Sequence, residues 1–209
     1  MPSRPSIVVL GDINFDLIAV TSRFPGPGET IIGTEFYTSS GGKGGNQAVA
    51  AARLGARTKM VGRVGDDSYG REMLESMKGY GVDISGIAVE PGATSGIAHI
   101  TIDGSGQNKI VIVSGANGRC DERDVLRARE VLEDAHVLML QMALPLDVSL
   151  KAAGEAQRLG IQVVFDPAPA GPLSAEAYGL LDYLIPNETE ASFLAGFPVT
   201  DPPTAMRAA

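Results

Sequence analysis

From residue 58 onward, short runs of β-branched and aliphatic residues alternate with longer segments whose apolar residues recur at helical spacing. That alternation predicts strand–helix–strand units, with a mostly parallel sheet covered by helices on its faces. The apolar runs at 7–10, 58–61, 137–140, 163–165 and 183–185 are expected as core strands, and 46–54, 68–80, 121–133, 146–158 and 188–194 as helices. Asp121 suits an N-cap, and Gly55, Gly81 and Gly160 stand where helices should stop. Two regions break the rhythm because strand-like segments follow one another with no helix between them. One is 17–20 with 30–37. The other comprises 84–89, 95–102 and 109–114, with a glycine-rich hairpin connection, DGSGQN, at 103–108. These pieces are expected to form a small sheet standing off the main domain.

A length of 209 residues with 44% apolar composition allows one sizeable core and a small appended sheet. The net charge of −8 argues against nucleic acid or an anionic membrane as a partner, because phosphate-tracking surfaces carry a basic field. An anionic ligand would have to be gripped by local dipoles and a few placed cations. One cysteine, Cys120, leaves no internal disulfide or cysteine-rich zinc site and favours a reducing compartment. The opening MPSRPS has no apolar signal core, and no run reaches the length of a membrane span, so a soluble, cytoplasmic protein is expected. His99, on an alternating strand, and His136, at a strand start, are too isolated for a metal site or a catalytic triad.

Three loops carry candidate chemistry. GDINFD at 11–16 follows the first strand and offers Asp12, Asn14 and Asp16 at alternate positions. Open α/β sheets bind ligands at the carboxyl ends of their strands, where a carboxylate and an amide can grip adjacent hydroxyls. The blander alternative is a pair of turn formers. GGKGGN at 41–46 leads into a small-residue helix. Its glycines admit close ligand approach, and the helix N-terminus is expected to offer unpaired N–H groups and a positive dipole end. No Ser or Thr follows Lys43 as a Walker loop requires, and Gln47 stands where a dinucleotide fingerprint needs glycine. A tight packing turn with an exposed lysine is its alternative. PNETE at 186–190 follows the last expected strand, and a simple capped helix would equally account for it.

Taken in order, GDINFD, GGKGGNQAVAAARLGA at 41–56, VGRVGDDSYG at 61–70 and PNETE resemble the ribokinase and phosphofructokinase-B family of sugar kinases, ribokinases most closely. The resemblance covers nearly the whole chain. It implies a single ribokinase-like α/β domain over 1–209: a doubly wound, mostly parallel sheet flanked by helices. A small β lid at about 17–37 and 84–114 would cover the sugar and serve as a homodimer surface. It implies ATP-dependent phosphorylation of a sugar hydroxyl, with ATP and Mg²⁺ as cofactors and a monovalent cation in ribokinase-type members. Asn14, Asp16, Gly42, Lys43 and Asn46 would bind the sugar. Asn187 and Glu190 would lie near the nucleotide phosphates and organise magnesium, Glu190 through water. Ala98, Ile100 and Ile112 would line the lid over the sugar's carbon face, or form one apolar side of a two-faced sheet.

Two departures shape the expectation. The family's D-T-x-G-A-G-D segment, which supplies the catalytic base and the anion hole, is not in this sequence; the nearest match, SGANG at 114–118, has no aspartate in place. The base is therefore expected beyond Ala209, no catalytic residue is assigned here, and the C-terminal part of the fold is expected to be missing. The chain is then either a fragment or a natural truncation that buries its open edge in an oligomer. Second, after 137–140 ribokinases read Q-L-E, with the glutamate on the sugar, whereas this chain has Gln141, Met142 and Ala143. Losing that acceptor weakens discrimination by about 1–3 kcal/mol. A fructose or nucleoside kinase of the same family, and a catalytically inactive carbohydrate-binding protein, stand as alternatives.

Overall fold

Val8 and Leu10 of the first strand point to one face of the central sheet and Val9 to the other, and all are fully buried. A strand covered on both sides needs helices above and below it, and the chain supplies them. The computed structural model describes residues 4–209. The order is β1 (Ser6–Leu10), β2 (Asn14–Val20), β3 (Glu35–Gly41), α1 (Lys43–Arg53), β4 (Arg57–Gly65), α2 (Ser68–Gly79), β5 (Asp83–Glu90), β6 (Gly96–Ile102) and β7 (Asn108–Val113). There follow a 3₁₀ turn (Gly115–Arg119), α3 (Glu122–Leu132), β8 (Val137–Gln141), α4 (Leu146–Arg158), β9 (Gln162–Asp166), α5 (Ala175–Tyr178), β10 (Tyr183–Leu184), α6 (Glu188–Ala195) and α7 (Pro202–Ala208).

The main sheet has the order β10-β9-β8-β1-β4-β5, parallel throughout. One face packs Val8, Leu10, Leu138, Leu140 and Phe165 against α3 and α4. The other packs Val9, Met60 and Val64 against Ala48 of α1 and Met73 and Met77 of α2. Each buried Val, Leu, Phe or Met here is worth about 1.5–3 kcal/mol, which stabilises helices on both faces of the sheet. The expected doubly wound α/β fold is what the chain adopts.

The second sheet, β3-β2-β6-β7, is the expected small sheet, with altered membership. Segment 84–89 is not part of it: β5 lies at the edge of the main sheet, parallel to β4. The crossover through α2 carries the chain back for parallel pairing, and Ile84 and Ile87 pack on the core beneath α2. Residues 30–34 are not a strand, and β3 instead runs to Gly41. Asn14 and Asp16 are not in a turn; they open β2, which pairs with β3 on one side and β6 on the other.

Two polar clusters tie the layers together. Asp67 caps α2 through the Gly70 N–H and also accepts from the Ser95 N–H and hydroxyl, all at 2.7 Å, anchoring the lid where β6 begins. Arg63 on β4, 1% exposed, donates to Asp124 at 2.9 Å and to Glu90 and Asp121 at 2.7 Å, joining β4, β5 and α3.

Candidate active site

The site begins at the turn between β1 and β2. Asp12 is buried; its Oδ1 accepts from the Gly44 N–H at 3.0 Å, and its main-chain oxygen accepts from the Gly45 N–H at 3.0 Å. Asp12 thus caps α1 from thirty-odd positions upstream. Those N–H groups, expected to be unpaired, are occupied, and the helix can begin at Lys43 instead of residue 46. Contact this close needs glycine. Gly42 has φ of 87°, and a Cβ there would lie 2.7 Å from the Asp12 oxygen and 2.8 Å from the Asn14 nitrogen.

Asn14, Asp16, Gly42, Lys43 and Asn46 border one cavity of about 510 Å³. Asn14 and Asp16 share a face of β2 because they are two residues apart in a strand. Register carries that face across the lid: Asp16 pairs with Ala98, Ala98 with Ile112, and Ile100 with Ile110. That one sheet face therefore brings the polar Asn14 and Asp16 and the apolar Ala98, Ile100, Ile110 and Ile112 to the cavity side by side, and Gly42, Lys43 and Asn46 border it from α1 and its start. Asp16 is half-buried and has no hydrogen-bond partner among the described residues. Burial, then the charge of Asp12, raises its carboxyl above the ordinary aspartate value. An unpartnered carboxylate of this kind is an acceptor for hydroxyl donors. Met142 and Ala143 also border the cavity, and Ala143 contributes no acceptor.

Lys43 also borders a second cavity of about 510 Å³, with Gln47, Asp166, Asn187 and Glu190 around it. Asn187 and Glu190 form a capping box on α6. Asn187 Oδ1 accepts from the Glu190 N–H, while the Glu190 oxygens accept from the Asn187 N–H at 2.8 Å and its Nδ2 at 2.9 Å. The capped-helix reading of PNETE is therefore realised, and each Glu190 oxygen keeps a lone pair. Asp166 ends β9 opposite; burial first, and the Glu190 charge second, raise its carboxyl, and Lys43 partly offsets this. Gln141 donates to Gln47 at 2.6 Å, and Gln47 donates to Asp166 at 3.2 Å.

No group of three or more His, Cys, Asp or Glu able to cage a metal occurs among the described residues. Two carboxylates raised or buried beside one lysine do fit a hydrated Mg²⁺, which retains its waters and takes few protein ligands.

Residues 4–209 match the model of the family described as pfkB family carbohydrate kinase. The chain belongs to the pfkB family of carbohydrate kinases. It is 40% identical to a Mus musculus ribokinase, over 100% of this chain and 67% of that protein. It is 35% identical to a Salmonella typhimurium deoxyribokinase, over 92% of this chain and 63% of that one. A solved Arabidopsis thaliana ribokinase, complexed with ribose and ATP, superposes with a TM-score of 0.87 at 32% identity, over 99% of this chain and 67% of that one. The chain thus spans about two thirds of the length of the relatives it matches.

Within this pfkB chain, sequence reasoning left Asp166, Gln47 and Asn117 without a role, though the structure places all three beside the cavities. Asp166 had a signal, since it follows the apolar run 163–165 at the carboxyl end of a core strand. Gln47 had one too, one helical turn beyond Lys43. The residues set aside stay outside the site. His136 Nδ1 accepts from the Ser6 N–H at 3.0 Å, and the Cys120 thiol is pushed up to about 12, chiefly by burial. Among the described residues no helix is long and apolar enough to cross a membrane.

Proposed function

We propose that this chain carries the sugar-binding part of an ATP- and Mg²⁺-dependent kinase that transfers the γ-phosphoryl of ATP to a hydroxyl of ribose or a related sugar. The observation that carries the reading is the free Asp16 carboxylate beside Asn14, on the same sheet face as Ala98 and Ile112, in a cavity that shares Lys43 with the second one. Asp16 accepts from sugar hydroxyls and Asn14 donates to them, while Ala98, Ile100 and Ile112 cover the carbon face. Lys43 stands where sugar hydroxyl and phosphoryl oxygens would meet. Asn187 and Glu190, with Asp166, face the triphosphate and would hold Mg²⁺ through its water shell; bound there, the ion would neutralise phosphate charge. A cytoplasmic location and a homodimer through the lid complete the reading. The dimer is supported by Ile110, Ile112 and Tyr37, about half exposed on one lid face.

The relative named as a deoxyribokinase, together with Ala143, keeps the sugar open within this class. Thermal shift with ribose, 2-deoxyribose, fructose and adenosine tests it, because a ligand at a hundredfold its Kd adds about 2.7 kcal/mol of stability. A free sugar is expected to raise Tm, and Mg·ATP to add a further, Glu190-dependent rise. A rise with adenosine alone would favour a nucleoside kinase. Sugar shifts with no response to Mg·ATP would favour a binding protein.

A further inference from the structure

Asn117 lies in the 3₁₀ turn just after the lid strand β7, 1% exposed, on the rim of the polar cavity. Its side chain is pinned by main chain: Oδ1 accepts from the Ile13 N–H at 3.0 Å, and Nδ2 donates to the Ile13 carbonyl at 3.1 Å. These two bonds leave one possible amide orientation. The second Nδ2 hydrogen then reaches Asn14 Oδ1 at 2.9 Å, which turns Asn14 Nδ2 toward Asp12 Oδ2, also at 2.9 Å. Asp12 Oδ1 is in turn held by the Gly44 N–H. Polarity thus passes from the backbone of residue 13, through Asn117, to Asn14.

Gly96 makes the passage possible. A Cβ at that position would fall directly on both Asn117 Nδ2 and Asn14 Oδ1. A strand glycine at this point is explained by the close approach of the two amides across β6.

We propose that Asn117 is a positioning residue that fixes Asn14 with its remaining N–H presented to the cavity. Beside the acceptor Asp16, this creates a donor–acceptor pair matched to neighbouring sugar hydroxyls. The proposal rests on the sugar reading above. Without Asn117 the Asn14 amide would be held by the Asp12 carboxylate alone, with its Oδ1 unpaired, and any turn that brought this oxygen to the cavity would set it against hydroxyl lone pairs.

Ribose affinity and Tm of the 209-residue chain, its Asn117→Ala, Gly96→Ala and Asn14→Ala variants, and the Asn117→Ala/Asn14→Ala double variant test it. Each single variant is expected to weaken ribose binding ~10-fold or more. In the Asn14→Ala background, Asn117→Ala is expected to add less than ~2-fold, because its effect passes through Asn14. Full additivity, or unchanged affinity in a folded Asn117→Ala or Gly96→Ala variant, would overturn the proposal and leave the sugar reading standing. No ribose binding by the unsubstituted chain would contradict both. Two separate substitutions keep the test valid if one of them fails to fold.

Discussion

Asp16 is half-buried next to Asp12, and no donor among the described residues binds its carboxylate, so ionising it costs the folded chain free energy that a bound hydroxyl would offset. Asp16→Asn removes that cost. The variant is expected to unfold at a higher temperature than the parent while binding sugar ~10–100-fold more weakly, the loss of a hydrogen bond to a charged group. A lower Tm with unchanged affinity would contradict this assignment. The pH dependence has a definite sign. The folded pKa of Asp16 is raised, so its unfavourable contribution is present above that pKa and disappears as pH falls through it toward the unfolded value of 3.8. Sugar affinity runs the other way, because the protonated acid is a poorer acceptor. Affinity measured between pH 7 and pH 4 is expected to start falling above the range of an ordinary aspartate, with Asp16→Asn flat over the same interval.

At the scale of elements, the Arg63 cluster holds β4, β5 and α3 together, and Asp124, fully buried, depends on Arg63 and Arg127 for its charge partners. Arg63→Ala leaves that carboxylate under-compensated. A loss of about 3–5 kcal/mol in urea unfolding is expected, and a loss under about 1 kcal/mol would show the cluster to be solvated. The core strands and their helices were legible in the sequence because alternation such as Val8-Val9-Leu10 records which side of the sheet each residue faces. The assignment of β5 was not legible from its own residues, since a strand in either sheet reads alike; the helix before it, α2, held the answer. Of the site, Asn14, Asp16, Gly42, Lys43 and Asn46 could be named from two short motifs and are brought to one cavity. Asp12 as the distant cap of α1, and Asn117 over a hundred positions from Asn14, arise only from tertiary contact.

For the whole molecule, the lid and the main sheet act as two walls of one cavity, and the edge strand of the lid exposes a run of apolar residues. Ile110, Val111, Ile112 and Val113 are each about half exposed or more. Sedimentation velocity is expected to show a dimer that Ile110→Lys dissociates; a monomer at all concentrations would remove the lid from the interface. The central claim, that the β1–β2 turn, the α1 glycines and the lid together form a sugar site, is tested most directly by calorimetric titration of ribose into the chain and into Asp16→Ala. Saturable binding at one site per chain, abolished by Asp16→Ala, is the expected result. No heat from ribose, or binding that survives Asp16→Ala unchanged, would contradict it.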